Sequence, residues 1–283
     1  SLAIGDVDFF IQNNLLVIVQ NDPNPAPPDE TVTEGDALTS IEIAILKGSP
    51  QDDSFDVSGW SAGALTVDGQ GGSDTVTSVA PGPGTLKLTN SGITFTDGSG
   101  TSAASLTFAS IELVYLYGSS GDDILDATLY TGTAALIGGD GNDILMGGPG
   151  LNLLQGDAGD DLFVFRPDGS LDTDIVAAGE GIDTLDFSAF GAAVTINLSV
   201  LAAVQNVVAG ELQIFLTSVP GPLAEEIENV IGGSGADNLT GNSLNNRITG
   251  GAGADTINGM GGTNTIVETA NAKTDNNGED RNT

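Results

Sequence analysis

Residues 138–164 read GGDGNDILM, GGPGLNLLQ and GDAGDDLFV, three nine-residue units that follow one another without a linker. Each unit opens with small, turn-forming residues, carries Asp or Asn at its sixth place and closes with apolar residues. Glycine permits the positive φ angles and close backbone contacts of tight turns, and the closing triplet is a minimal strand whose central residue faces inward. One turn and one short strand cannot bury an apolar face alone, so the units must stack on copies of themselves. The stretch therefore predicts a parallel β-roll.

A second tandem block, residues 232–267, reads GGSGADNLT, GNSLNNRIT, GGAGADTIN and GMGGTNTIV. Together, the units of both blocks resemble the RTX, or haemolysin-type, calcium-binding nonapeptide family, whose consensus is G-G-x-G-x-D-x-U-x with U a large apolar residue. The resemblance implies an all-β fold, a right-handed parallel β-roll or β-solenoid with calcium between the turns of successive coils. Several Ca²⁺ ions are then expected, held by sixth-place Asp carboxylates and by backbone carbonyls of the glycine-rich turns.

Metal-ligand candidates follow from this resemblance. They are Asp53, Asp74, Asp123, Asp143, Asp161, Asp183, Asp237 and Asp255 at sixth places, with Gly138, Asp140, Asn142, Gly156, Gly232 and Gly250 in the turns. The alternative is that these residues only form turns, which Asp and Asn favour for backbone reasons. It stays open for Asp53, whose unit GSPQDDSFD lacks the second and fourth glycines. A metal is doubtful in the unit 241–249, which has Leu244 at the fourth place, and the preceding acids Asp122 and Asp160 are either outer ligands or solvated charges.

The spacing of the sixth-place residues predicts which edge of the roll each one occupies. In the resembled family two units make one coil, so units 18 residues apart share an edge. Asp237 and Asp255 then share one edge, while Asn246 and Asn264 share the other. Asp143 and Asp161 likewise share an edge, from which Asn152 faces away.

Other aspartates continue this pattern at similar spacings. Asp53 and Asp74 lie 21 residues apart, Asp123 precedes Asp143 by 20, and Asp183 follows Asp161 by 22, with Asp97 in the gap before Asp123. We therefore predict a single calcium-bearing edge from about Asp53 to Asp255. The opposite edge is predicted to be an Asn ladder, whose neutral amides bond between coils without a cation.

Composition agrees with a cation-binding protein. The formal net charge is −33, from 39 acidic and 6 basic side chains, which argues against nucleic acid and anionic membranes as partners. Yet 39% of the residues are hydrophobic, too many for an acidic disordered chain. With no His and no Cys, the sequence offers only oxygen ligands, which suit Ca²⁺, and no disulfides.

Because Ca²⁺ is scarce in the cytosol, an extracellular or bacterial cell-surface location is expected. The apolar runs are too short to insert in a membrane, and the start at Ser1 without a visible signal peptide suggests a processed product or a fragment.

An internal duplication extends the repeat beyond the two blocks. Ile41-Glu42 and Ile111-Glu112 begin segments whose landmarks match at an offset of 70 residues, and Ile227-Glu228 begins a third, shorter version. Such duplication predicts a solenoid that grows in one direction. The short β-rich segments between residues 85 and 117 are interpreted as further rungs with wider turns. In this duplication Trp60 matches Tyr130, which favours packing over sugar contact for both, while Tyr115 and Tyr117 are the other aromatic candidates for sugar contact.

The chain divides into six predicted parts. They are an N-terminal β-strand pair with a Pro-rich linker (1–30), irregular solenoid rungs (31–117), a first RTX-like block (118–190), an irregular β insertion (191–225), a second RTX-like block (226–267) and a polar tail (268–283). The strand pair either caps its own solenoid or reaches a neighbouring molecule. The tail is either disordered or docked.

Three classes of function compete. The first is an extracellular structural or adhesive module that associates head to tail with its own copies in a surface filament, or contacts cell-surface components such as polysaccharide. The alternative is an accessory RTX secretion and folding module of a larger secreted protein or enzyme. An enzyme is not expected, because the chain lacks His for a zincin motif and its six basic residues are scattered.

Overall fold

The structure is a computed structural model that describes residues 7–12, 15–20, 43–58, 64–218 and 226–267. These residues form strands and turns and contain no helix. Short apolar triplets between turn-forming residues favour strands, since a helix needs a longer periodic segment. The first strands are β1 (Val7–Gln12), β2 (Leu15–Gln20), β3 (Ile43–Lys47), β4 (Ser54–Asp56), β5 (Ala64–Asp68), β6 (Thr75–Val79), β7 (Gly84–Thr89), β8 (Gly92–Asp97), β9 (Ser102–Ala109), β10 (Leu113–Tyr117), β11 (Ile124–Leu129) and β12 (Thr133–Asp140).

The tandem blocks and the segment between them supply the remaining strands. They are β13 (Ile144–Met146), β14 (Asn152–Ala158), β15 (Leu162–Val164), β16 (Asp172–Glu180), β17 (Asp183–Asp186), β18 (Thr195–Asn197), β19 (Val204–Val208), β20 (Leu212–Thr217), β21 (Ile227–Ile231), β22 (Asn238–Thr240), β23 (Arg247–Thr249), β24 (Thr256–Asn258) and β25 (Thr265–Val267).

Three sheets contain all of these strands. Sheet I has 14 strands in the order β1-β2-β3-β5-β9-β8-β7-β11-β13-β15-β17-β21-β23-β25. Sheet II has eight, in the order β19-β20-β16-β14-β12-β10-β6-β4, and sheet III has three, β18-β22-β24. Most neighbouring strands within a sheet are parallel, and the chain passes back and forth between sheet I and sheet II or III. The predicted all-β parallel solenoid is confirmed.

The core consists of inward-facing residues stacked between the sheets. Leu125 pairs with Leu145, Leu145 with Phe163, and Phe163 with Leu185 along sheet I, and all four side chains are 0% exposed. The eighth-place residues of the nonapeptides are all buried: Leu125, Leu145, Leu154, Phe163, Leu185, Leu239, Ile248, Ile257 and Ile266. Burial of these apolar columns is the driving force for stacking the short units.

The turns between sheets form two opposite edges of the solenoid. We name the turns that lead into sheet I the inbound edge, and the turns that lead from sheet I to sheet II or III the outbound edge. The turns before β11, β13, β15 and β17 belong to the inbound edge, and those before β4, β6, β22 and β24 to the outbound edge.

One predicted set of rungs has a different arrangement. β7, β8 and β9 form an antiparallel meander inside sheet I, with β8 between its two partners. β9 pairs in parallel with β5, and β7 with β11. The interpretation of these segments as successive coils was therefore wrong: three consecutive strands lie in one sheet, because the Asn90-Ser91 and Asp97–Thr101 turns reverse the chain instead of carrying it across.

The two copies of the duplication differ in phase, because an odd number of half-coils separates their equivalent strands. β3 of the first copy lies in sheet I, whereas its equivalent β10, 70 residues later, lies in sheet II. The same exchange relates β4 to β11 and β6 to β13. Equivalent turns of the two copies therefore lie on opposite edges of the solenoid.

At the N-terminus, β1 and β2 form the predicted strand pair, which is antiparallel, and β2 continues sheet I in parallel with β3. The proline-rich linker at 21–30, Trp60 and the tail 268–283 lie outside the described residues. Within the described part of the chain, no helix is long and apolar enough to cross a membrane.

Candidate metal centre

A row of carboxylates runs along the inbound edge. Each sixth-place Asp donates its backbone N–H to Oδ1 of the Asp one coil later: Asp123 to Asp143 at 2.7 Å, Asp143 to Asp161 at 2.8 Å, and Asp161 to Asp183 at 2.8 Å. These side chains are at most 1% exposed. The spacing analysis placed these four aspartates on one edge, and the structure brings them together there.

The outbound edge holds two shorter rows. Asp53 donates its N–H to Oδ1 of Asp74 at 2.8 Å, and Asp237 donates to Oδ1 of Asp255 at 3.0 Å. Both pairs precede strands that leave sheet I, β4 and β6 in one case and β22 and β24 in the other.

The predicted single calcium-bearing edge from Asp53 to Asp255 is therefore wrong. The aspartates begin on the outbound edge, continue on the inbound edge and return to the outbound edge. Three half-coils, an odd number, separate the Asp74 turn from the Asp123 turn, so the row changes edge between them, and the irregular segment between β17 and β21 precedes the second change. Asp97 does not join a row, because it lies at the end of β8 and its carboxylate accepts hydrogen bonds from Ser99 and Thr101 in its own turn.

The predicted asparagine ladder is present in the second block. Asn246 donates its backbone N–H to Oδ1 of Asn264 at 2.9 Å, and its Nδ2 donates to Glu228 O at 3.0 Å and to Asn242 Oδ1 at 2.9 Å. The ladder precedes β23 and β25 and so continues the inbound edge on which the first-block aspartates lie. Its neutral amides satisfy one another without an ion, as the sequence predicts.

The eight aspartate turns are of two kinds, which differ in the second carboxylate oxygen. In three of the turns, Oδ2 of the Asp accepts a hydrogen bond from the backbone N–H four residues earlier. The N–H donors are Ser49 to Asp53 at 2.6 Å, Ser119 to Asp123 at 2.6 Å, and Gly233 to Asp237 at 2.7 Å. We call these closed turns. In the other five, which we call open turns, Oδ2 is buried and has no hydrogen-bond partner: Asp74, Asp143, Asp161, Asp183 and Asp255.

The backbone explains this division. In each open turn the residue at the second place has a positive φ: Gln70 (72°), Gly139 (103°), Asp157 (74°), Gly179 (106°) and Gly251 (90°). None of Ser49, Ser119 and Gly233, the second-place residues of the closed turns, is among the positive-φ residues. A positive φ turns the second-place N–H away from the carboxylate. The open turns thus present a buried, negatively charged oxygen that lacks a protein donor.

Backbone carbonyls converge on the same oxygens. A side-chain carbon at Gly156 would collide with both Asp161 Oδ2 and Ala178 O, and one at Gly138 would meet Asp143 Oδ2 and, at 2.8 Å, Gly156 O. Carboxylate and carbonyl oxygens with no proton between them repel each other unless a cation lies there. In four of the five open turns the first-place residue is a glycine, which leaves the space beside these oxygens empty of side-chain atoms; in the Asp183 turn it is Ala178.

Where Asn replaces Asp, an amide hydrogen takes over. Nδ2 of Asn264 donates to Gly259 O and Gly261 O, each at 2.9 Å, and Nδ2 of Asn152 donates to Gly148 O at 2.7 Å. In these units the turn carbonyls accept a hydrogen bond from the Asn amide. In the aspartate units the equivalent carbonyls lie beside a carboxylate, which has no hydrogen to donate. The contrast is one of charge: Oδ1 of Asn152 is also buried without a partner but carries no formal charge, whereas the open aspartate turns place a carboxylate there.

Burial changes the ionisation of the row. It raises the pKa of Asp143 to about 6 and the pKa of Asp161 and Asp183 to about 7, and neighbouring carboxylates add to the rise, while the N–H bond from the preceding Asp opposes it. The pKa of Asp74 rises to about 6 for the same reasons. These carboxylates are therefore ready to exchange a proton for a metal ion.

The residues fit calcium. Among the described residues, no three acidic side chains form a ready metal cluster, because each coil contributes one carboxylate to its row. A cation here must take the remaining ligands from backbone carbonyls, which is the oxygen-rich and geometrically tolerant environment that Ca²⁺ accepts. The residues that would hold it are the five open aspartates with the carbonyls of the adjacent glycine-rich turns.

The other candidates have distinct positions. Gly232 and Gly250 stand at first places on the outbound edge, where side chains would strike Asp237 Oδ2 and Asp255 Oδ2. Asp140 is the last residue of β12 and is exposed. Asn142 lies in an outer row, in which its N–H donates to Asp122 Oδ1 and its Oδ1 accepts from Asp160 N, both at 2.8 Å.

Asp122 and Asp160 therefore have a structural role in this outer row. Asp160 also accepts the N–H of Ile182 at 2.9 Å. Tyr130 is a packing residue, as the duplication predicts: its ring lies edge-on to Phe108, and its hydroxyl donates to Ile111 O at 2.9 Å. Tyr117, 37% exposed, stays a candidate for sugar contact.

The sequence analysis missed two glutamates at the row ends. Asp74 donates its N–H to Glu112 Oε2 at 2.8 Å, and Asp183 donates to Glu228 Oε2 at 2.9 Å. The repeated Ile-Glu pair was visible in the sequence as a landmark of the duplication, but its place in the carboxylate rows was not.

The fold and the carboxylate rows define a parallel β-solenoid with cation-binding turns. The family model of the RTX calcium-binding nonapeptide repeat matches this chain in four copies, over residues 114–129, 137–165 and 231–266. The matched segments are thus repeats of the RTX, or haemolysin-type, calcium-binding kind, and they lie in the β-roll. A search of curated proteins finds no match to the chain. Proteins with such repeats are typically secreted.

Proposed function

We propose that this protein is a non-enzymatic, extracellular structural or adhesive β-solenoid, which calcium folds and stiffens and whose copies associate head to tail in a surface filament. The observation that carries the proposal is the set of five buried Oδ2 atoms without a partner. Three of them, in Asp143, Asp161 and Asp183, belong to successive coils, and the other two lie in the rows at either side, so one class of ion would act along much of the solenoid.

Electrostatics supports the role of calcium in folding. Adjacent coils are about 5 Å apart, a distance at which buried carboxylates repel each other strongly, and the chain carries a net charge of −33. A divalent cation between coils reverses the sign of this interaction. Because the ion would bind the stacked state and not the unfolded chain, binding would stabilise the fold by mass action.

An extracellular location is supported by the same argument. A solenoid that depends on calcium needs a compartment where the ion is plentiful, and extracellular calcium modules work with affinities of about 10⁻⁴–10⁻³ M. The secretion that is typical of RTX proteins is consistent with this location.

The ends of sheet I support head-to-tail association. Sheet I continues from β1 to β25, so a strand lies at each end. In the described part of the chain, β25 pairs with β23 and with no strand on its other side. Such an edge offers backbone N–H and C=O groups to a strand of another copy. Polysaccharide at the cell surface is a further candidate partner.

Two measurements test the proposal. Circular dichroism and protease resistance should increase sharply when calcium is added to calcium-free protein. Electron micrographs and light scattering in millimolar calcium should then show fibres. Isolated monomers under these conditions would refute the filament and leave an accessory secretion or folding module of a larger protein. If neither circular dichroism nor protease resistance changed with calcium, the proposed role of calcium in folding would be refuted.

A further inference from the structure

Two carboxylate rows end in a glutamate that belongs to an Ile-Glu pair. Glu112 stands one coil after Asp74 on the outbound edge, and Glu228 stands one coil after Asp183 on the inbound edge. Each accepts the N–H of that Asp, at 2.8 and 2.9 Å, as the next Asp does elsewhere in the rows. Neither glutamate lies within a stretch that has the G-G-x-G-x-D pattern.

We propose that Glu112 and Glu228 are calcium ligands, which complete a terminal cation site with Asp74 and Asp183 respectively. This inference rests on the proposed role of calcium in the aspartate rows. It adds ligands that the nonapeptide pattern does not contain and extends cation binding to the ends of the rows.

The aspartate in each terminal pair is of the open kind. Asp74 and Asp183 are both 0% exposed, and Oδ2 of each has no hydrogen-bond partner. If the glutamate served only to accept the Asp N–H, the backbone would be satisfied, but Oδ2 of the Asp would still have no partner. A buried carboxylate oxygen beside a second carboxylate is electrostatically unfavourable unless a cation lies between them.

A carbonyl oxygen accompanies Glu112 as it does in the interior of the rows. A side-chain carbon at Gly69 would collide with both Asp74 Oδ2 and Ser110 O. The same relation joins Gly156 to Asp161 Oδ2 and Ala178 O inside the inbound row. Ser110–Glu112 thus supplies both a carbonyl and a carboxylate, the pair of ligands that a full nonapeptide turn supplies.

Both glutamates are held in place through the preceding isoleucine. Ile111 and Ile227 are buried, with 9% and 5% of their surface exposed, and their carbonyls accept side-chain hydrogen bonds. Tyr130 Oη donates to Ile111 O at 2.9 Å, and Asn242 Nδ2 donates to Ile227 O at 2.8 Å. A fixed backbone keeps the glutamate on the edge, as a preorganised ligand requires.

The inbound end has an additional carboxylate. Glu226 Oε2 accepts the N–H of Gly179, the positive-φ residue of the Asp183 turn, at 3.1 Å. Glu226 and Glu228 thus each bond the backbone of the Asp183 turn, although the three acids do not form a compact metal cluster. Ca²⁺ takes six to eight oxygens and would need backbone carbonyls beside these carboxylates.

Glu-to-Gln variants separate a ligand from a simple acceptor. Glu228→Gln keeps a carbonyl-type oxygen for the Asp183 N–H but removes the charge, and Glu112→Gln does the same at the other row. Native mass spectrometry of the whole chain, titrated with calcium, counts the bound ions. Each variant should bind one ion fewer than the wild type, and the double variant two fewer, with unchanged circular dichroism.

Glu211→Gln is the matched control, because it removes the same charge from the turn between β19 and β20, away from both rows, and should bind as many ions as the wild type. If Glu228→Gln disturbs the fold, the ion count of Glu112→Gln tests whether these glutamates are calcium ligands. Unchanged ion counts and affinities in the Glu112 and Glu228 variants would overturn this inference alone. A wild type that binds no calcium would overturn the proposed function together with it.

Discussion

The backbone N–H of Asp143 donates to Oδ1 of Asp161, one coil later, at 2.8 Å, while Oδ2 of Asp161 is buried without a partner. One carboxylate thus has two separate tasks. Oδ1 joins adjacent coils through a hydrogen bond that an uncharged amide oxygen would also accept. Oδ2 contributes a negative charge that no protein group in the described structure neutralises, and this charge is the part that depends on calcium.

Asp161→Asn separates the two tasks. The amide keeps an oxygen for the Asp143 N–H, and its Nδ2 can donate to turn carbonyls as Asn152 and Asn264 do. We expect the variant to lose a calcium site, with affinity at that site reduced at least about 10–100-fold. In calcium-free buffer it should melt at a higher temperature than the wild type, because a buried charge has gone. Calorimetric titration and thermal melts measure the two effects.

Asp186→Asn is the control for Asp161→Asn. It makes the same charge change on an exterior carboxylate that accepts the N–H of Ser188, and it should alter neither quantity. A variant at 161 that binds calcium like the wild type would contradict the assignment of Oδ2 as a ligand.

Gly156→Ala tests the space beside the row. Its new methyl group would collide with Asp161 Oδ2 and Ala178 O, so we expect weaker calcium binding and a loss of about 1–3 kcal/mol in the free energy of unfolding, as for other overpacked sites. Gly82→Ala is the matched control, since nothing lies within 4 Å of a side-chain carbon there. Chemical denaturation in saturating calcium compares them; equal stability of the two variants would mean that the row tolerates the methyl group.

Local features of this fold could be predicted from the sequence because they depend on a few neighbouring residues. The nine-residue period sets the strand and turn of each unit, so Leu145 and Phe163 were placed in the core and Asp143 and Asp161 on one edge. The global phase could not be predicted in this way. Whether Asp74 and Asp123 share an edge depends on whether the number of half-coils between them is even or odd. That number is three, and the spacing of 49 residues gives no signal for it.

The division into open and closed turns was also beyond the sequence pattern. Gly232-Gly233 matches the consensus, yet Gly233 donates to Asp237 and closes its turn. Gln70 does not match, yet it has a φ of 72° and leaves Asp74 open. The backbone conformation at the second place decides the kind of turn, and residue type alone does not set that conformation.

Low pH should stabilise the calcium-free protein. The folded-state pKa values of Asp143, Asp161 and Asp183, about 6 to 7, exceed the ordinary value of 3.8. The folded state therefore binds more protons than the unfolded state between about pH 4 and 7, and stability falls as pH rises through this range. Thermal melts in calcium-free buffer should give a higher melting temperature at pH 5 than at pH 8.

Calcium should reverse this order. Calcium competes with protons for the same oxygens, so in saturating calcium the melting temperature should be higher at pH 8 than at pH 5. Binding at pH 6 should also release protons, which calorimetry in buffers of different ionisation enthalpy detects. The same pH order with and without calcium would contradict competition at these carboxylates.

Asn246→Asp tests why the inbound edge carries asparagine in the second block. Nδ2 of Asn246 donates to Glu228 O and Asn242 Oδ1, so a carboxylate there would lose both bonds and face two acceptor oxygens. Leaving buried polar groups unsatisfied costs about 1–3 kcal/mol, and a buried charge costs more. We expect a loss of at least this size in urea unfolding at pH 7. Asn245→Asp makes the same charge change at the adjacent, exposed residue, whose Oδ1 only accepts the N–H of Thr263, and should have little effect. Equal stability of the two variants would show that the amide hydrogen bonds of Asn246 do not stabilise the asparagine row. Charge repulsion along the whole inbound edge would then be the remaining reason for Asn in place of Asp.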